Sequence, residues 1–215
     1  MKTNNKIFTF IAFAVFFFSF AGCSHMRGVQ EFTVPKISEQ KDGPKVQITE
    51  VIDNRIFELK PSSPSTPSLQ GGQIDDKKMT SRAIARKQNY FVLGGDIFIS
   101  EERTVEQVIK ETIKGALVEK GYTVVEKSGS DVATMTVAIQ KFWFWLTAGF
   151  LKPKLDFQLE LMLSSSILKE KPPVSLESSV QSYHFGVTPR VKANALSQGL
   201  AKLRANVVAA LKDPN

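Results

Sequence analysis

Two stretches of strict alternation limit the folds open to this chain. Between Ala133 and Gln140, the residues Ala133, Met135, Val137 and Ile139 fall on one side of an extended backbone, with Thr134, Thr136 and Gln140 on the other. Leu155, Phe157, Leu159, Leu161 and Leu163 alternate in the same way with Lys154, Asp156, Gln158 and Glu160. Successive side chains of a strand point to opposite faces, so both stretches read as antiparallel strands with one face in a core and the other against water. They form a hairpin with its tip near Thr147 to Pro153. A sheet with one apolar face needs a covering layer, and two helices can supply it.

The first helix begins after Thr104, where Thr104 and Gln107 make a capping-box pair. Val105, Val108, Ile109, Thr112, Ala116 and Leu117 then return to one side at spacings of three and four, and Gly121 stops the helix. Thr188 and Pro189 suit the N-cap and first position of the second, whose stripe is Leu196, Leu200, Leu203, Val207 and Leu211. Asp213-Pro214 ends it. Shorter strands are expected over Val46–Phe57, Tyr122–Glu126 and Ser178–Val187, with one or two more within Met79–Ser100. Lys60 to Gly72, with three Pro and two Gly, reads as a surface loop, and Lys171-Pro172-Pro173 as a turn. The expected class is α+β, a mostly antiparallel sheet with both helices on one face.

The N-terminus reads as a processing signal rather than as part of this fold. Lys2 and Lys6 precede an apolar run from Ile7 to Phe20, then Ala21-Gly22-Cys23. That run is shorter than the roughly 20 apolar residues a membrane-spanning helix needs. Cys23 is the chain's one cysteine and follows a small residue, which is the placement a lipoprotein signal requires. The expected organisation is a signal over 1–22, a lipidated, unpacked tether over 23–44 and one periplasmic domain over 45–215. Ser24 is not the Asp that retains lipoproteins in the inner membrane, so for a Gram-negative source the expected address is the periplasmic face of the outer membrane. Cleavage removes Lys2 and Lys6 and lowers the formal charge from +7 to +5. Those charges are spread along the chain without the dense basic block of a nucleic-acid binder.

Chemistry-bearing residues are sparse. Asp53 and Arg55 lie two apart on a strand and share a face, where they form either a site for a carboxylate or phosphate or a structural ion pair. Phe142-Trp143-Phe144-Trp145 puts aromatic rings on both faces of its strand. Trp143 continues the apolar odd-numbered face, which leaves Phe142 and Phe144 outward as a partner-binding surface unless a bulge changes the register. His25 and His184 have no Cys or carboxylate cluster at metal-ligand spacing. No serine sits in a hydrolase motif, and Gly94-Gly95 lacks the rest of a phosphate loop. No cofactor, metal, nucleic acid or enzymatic activity is expected.

With Cys23, Asp53-Asn54-Arg55, the Pro-rich interruption, the helix ending in EKGYTVVE and the FWFW strand before a C-terminal helix, the chain resembles the YajG-type outer-membrane lipoproteins of Gram-negative bacteria. The resemblance implies the address and the fold. It leaves two expectations for function: a non-enzymatic domain that organises a protein partner, or an auxiliary lipoprotein that carries an apolar lipid between sheet and helices. Volume separates them, since a carrier needs a cavity of several hundred Å3.

Overall fold

The computed structural model describes residues 27–40, 42–89, 92–147 and 152–214. The segment expected to be a signal, and Cys23, lie outside the described residues. Eight strands form one sheet: β1 (Gly28–Val29), β2 (Lys45–Asp53), β3 (Ala83–Asn89), β4 (Val92–Phe98), β5 (Thr123–Val124), β6 (Val132–Thr147), β7 (Lys154–Ser165) and β8 (Val174–Tyr183). The helices are a short α1 (Lys77–Thr80), α2 (Val105–Lys120) and α3 (Pro189–Ala210). Among the described residues no helix is long and apolar enough to cross a membrane.

β6 organises the sheet. Along one edge it pairs antiparallel with β7, and β7 in turn with β8. Its other edge is shared, with β2 parallel to it over Val132–Ile139 and β3 parallel to it at Phe144. β4 follows β3, β1 lies parallel to β4, and β5 parallel to β2. Four of the seven pairings are parallel, so the sheet is mixed, which corrects the expectation of a mostly antiparallel one. Period two marks a strand but carries no direction. β2 meets β6 only after the chain has crossed over through α2, and such a crossover makes neighbours parallel.

Both long helices cover the same face, as the stripes require. Thr104 Oγ1 accepts from Gln107 N at 3.3 Å and Gln107 Oε1 from Thr104 N at 2.8 Å, closing the capping box on α2. Gly121 takes the left-handed stop at φ 102°. Val108, Ile109, Ile113 and Leu117 of α2 meet Leu196, Leu200, Leu203 and Val207 of α3 over Met135, Val137, Leu159 and Leu161. α3 lies very close to the sheet: a Cβ on Gly199 would sit 2.5 Å from the Phe157 ring. The opposite face is dry where Leu69, Ala83, Phe98 and Trp143 pack with Phe57, Ile74 and Met79 from the loop region after β2.

Two further expectations are corrected. The β6–β7 register shifts between Ile139 and Lys141, so Gln140 is an extra residue and every side chain after it changes face. Phe142 and Phe144 are therefore core residues, 0% and 4% exposed, and Trp143 turns to the opposite face. The tether expected over 23–44 is packed in its described part from Gly28 to Lys36. Gly28 and Val29 add to the sheet, and Phe32 and Val34 touch the core. Ser197 Oγ donates to Thr33 O at 2.9 Å and Arg204 Nη1 to Lys36 O at 2.7 Å. The carbonyls of Thr33, Pro35 and Lys36 accept from α3, which removes the reason to expect this polar stretch loose.

Candidate functional site

Asp53 ends β2, and Arg55 folds back on it. The Arg55 Nε and Nη2 donate to the two carboxylate oxygens of Asp53 at 2.7 Å each. The remaining three N–H groups reach the carbonyls of Ala83 at 2.6 Å, Phe142 at 3.2 Å and Thr80 at 2.6 Å. All five donors of the guanidinium are used, its side chain is fully buried, and the Phe57 ring lies 5.3 Å away. Asp53 and Arg55 thus form a structural knot joining the ends of β2 and α1 to β3 and β6. That arrangement leaves no free donor for a ligand carboxylate or phosphate and corrects the ligand-binding expectation. Phe142 and Phe144, which were expected to meet a partner, lie inside the core, with Phe142 edge-on to Phe157 at 5.3 Å. His184 is half-buried in the segment after β8, and Cys23 and His25 are outside the described residues.

A second buried charge was not legible in the sequence. Asp96 on β4 is completely buried and accepts from Gln70 N at 2.9 Å and from Arg27 Nε at 3.2 Å. Arg86 Nε lies 3.9 Å from the same carboxylate. Arg27 also reaches Gln73. The start of the described chain is thereby fixed to the sheet.

The feature with binding chemistry is the outer edge of β2. β5 covers that edge only at Lys45 and Val46, extended by Val125 N donating to Val46 O at 2.9 Å. Beyond it, no described residue pairs with the outer edge. Asn54 N donates to Ile139 O of β6, so by alternation the N–H and C=O groups of Val51 and Asp53 point away from the sheet. Two adjoining clefts follow this edge. One, of about 170 Å3, lies between Ile48–Val51 and Glu106, Gln107 and Lys110 at the start of α2. The other, of about 290 Å3, lies between Glu50–Asp53 and Lys77, Thr80, Ser81 and Glu106. Glu106 lines both, and its Oε2 is shielded from solvent with no hydrogen-bond partner. An acceptor of that kind is costly unless a donor arrives. A further free edge is treated differently: on β8, Asn206 Nδ2 and Lys202 Nζ donate to Glu177 O at 2.7 Å and Ser179 O at 3.0 Å. Nothing in the local sequence distinguishes Glu106 from an ordinary first-turn acid of a helix.

No family model matches the chain, and no curated protein matches it. Among solved structures it is similar to an uncharacterised protein at 14% identity and a TM-score of 0.46, over 86% of this chain and 97% of that one. It is also similar to a Xanthomonas campestris protein of the DUF330 family, at 14% identity and a TM-score of 0.46 over 84% and 91%. A Helicobacter pylori protein described as a neuraminyllactose-binding hemagglutinin homologue gives 12% identity and a TM-score of 0.32 over 86% and 92%.

Proposed function

We propose that this chain is a lipid-anchored, non-enzymatic protein on the periplasmic face of the outer membrane that holds a protein partner by accepting an extended segment as an added strand along β2. The carrying observation is the open edge from Ile48 to Asp53, bordered by clefts at which Glu106 Oε2 has no donor. Strand addition draws affinity from main-chain hydrogen bonds and specificity from flanking pockets. A segment presenting a Lys or Arg toward Glu106 would supply the missing donor. Open edges invite unwanted pairing, and β8 shows this chain blunting one with side chains, so an edge left bare beside two clefts favours use over neglect. Anchorage rests on the signal around Cys23, and the resemblance to YajG-type lipoproteins belongs to the same proposal. The close approach of Gly199 to Phe157 favours partner binding over lipid carriage, because it leaves little room between α3 and the sheet.

Photo-crosslinking from position 52 in intact cells, followed by identification of the crosslinked peptide, tests the reading. Val51→Pro removes one outward N–H without touching the β6 ladder. It should preserve folding and abolish binding of the identified segment to the purified domain, and Glu106→Lys should weaken binding as well. Binding unchanged in a folded Val51→Pro protein would defeat strand addition.

A further inference from the structure

The N-terminal segment and, among the described residues, the most exposed aromatic side chains lie toward the same end of the sheet. Phe185 is 83% exposed and Tyr183 is 64% exposed. Lys152 Nζ lies 4.1 Å from the centroid of the Phe185 ring. Residues 178–192 contain no Asp or Glu, and the Asp156 carboxylate, opposite Gln181, is buried and paired with Lys154. Exposed rings with a basic neighbour suit an anionic lipid surface, where aromatic side chains settle among headgroups.

The register shows toward which end of the sheet β1 begins. Gly28 lies opposite Ile97, Ile97 opposite Ala85, and Ala85 opposite Phe144. Phe144 pairs with Phe157, and Phe157 with Val180. Gly28 is thus level with Val180, three residues short of Tyr183, or about 10 Å along the strand. Because β1 runs parallel to β4, the chain before Gly28 heads toward the end where β4 begins, β6 stops and β8 stops. Arg27 is held by Asp96. Only Ser24, His25 and Met26 separate it from Cys23, a reach of at most about 14 Å. A lipid on Cys23 therefore cannot hold the domain far from the bilayer.

We propose that this end of the domain rests on the membrane, with Phe185 and Tyr183 in the headgroup zone and Lys152 against anionic headgroups. The proposal depends on lipidation of Cys23. It orients the domain with the β7–β8 turn farthest from the bilayer.

The test uses the full lipoprotein in vesicles of phosphatidylethanolamine and phosphatidylglycerol, with a spin label on Phe185→Cys, since the acylated Cys23 does not react, and a control label on Glu170→Cys at the opposite end. Mass spectrometry of the N-terminus is read on the same sample. The expected result is an acylated Cys23, a label at 185 within roughly 10 Å of the phosphate level, and a label at 170 in water. Lys152→Glu should return the label at 185 to water. An acylated N-terminus with position 185 in water, or immobilised without access to lipid, overturns this orientation alone and in the second case assigns the patch to a protein. An unacylated N-terminus overturns the orientation together with the anchorage it depends on.

Discussion

Arg55→Ala separates a structural knot from a ligand site. The substitution removes a buried guanidinium from both oxygens of Asp53 and from the carbonyls of Thr80, Ala83 and Phe142. Asp53, whose side chain is only 10% exposed, is left as an uncompensated carboxylate. Removing one partner of a buried pair costs about 3–5 kcal/mol, against a total stability of about 5–15 kcal/mol for an ordinary domain. For a domain of this size each kcal/mol lowers the melting temperature by about 2–4 °C, so the expected drop is roughly 6–20 °C. Circular dichroism melting of the purified domain measures it. Arg55→Lys keeps the charge but cannot make five bonds from a planar fork, and should fall between the two. A melting temperature within about 2 °C of the parent for Arg55→Ala would refute the reasoning and return Arg55 to the candidates for ligand binding.

Phe142→Ser, by the position of that ring in the core, should cost at least about 3 kcal/mol in chemical denaturation, as large-to-small core changes do. Melting like the parent would mean that the ring is outside after all. Gly199→Ala should destabilise by about 1–3 kcal/mol through its clash with Phe157, although helix propensity alone predicts a gain of about 1 kcal/mol; the sign of the melting shift decides. Asp131 and Asp213 are held below the usual carboxylate range by hydrogen bonds from Lys45 and Lys120 respectively. A lowered folded pKa contributes stability above the unfolded value of about 4 that is lost as pH falls through the folded value. The double Asp131→Asn, Asp213→Asn protein should therefore show a shallower fall in melting temperature below about pH 4 than the parent does, with both carboxylates exposed and the difference small.

What the sequence reveals here is whatever repeats with a period. The leucines of β7 keep one face from Leu155 to Leu163, and the Thr104–Gln107 box and the stripe from Leu196 to Leu211 place both helices. Single departures from period are hidden. Gln140 is one polar residue in a strand of polar and apolar residues, yet as a bulge it moves Phe142 and Phe144 from one side of the sheet to the other. Non-local partners are hidden as well: Arg27 reads as a tether residue until Asp96 is brought to it across 69 positions of chain. The parallel pairing of β2 with β6 comes from the same cause, because strand direction follows from the path of the chain between them. The bare β2 edge is equally silent in the sequence, since an unpaired strand differs from a paired one only in what lies beside it.

Amide hydrogen exchange over residues 48–53 tests the strand-addition account most directly. In the purified domain the outward amides of Val51 and Asp53 should exchange quickly, and in the presence of the segment identified by crosslinking they should become protected together. Protection already present in the isolated domain, or exchange unchanged by that segment, would contradict it.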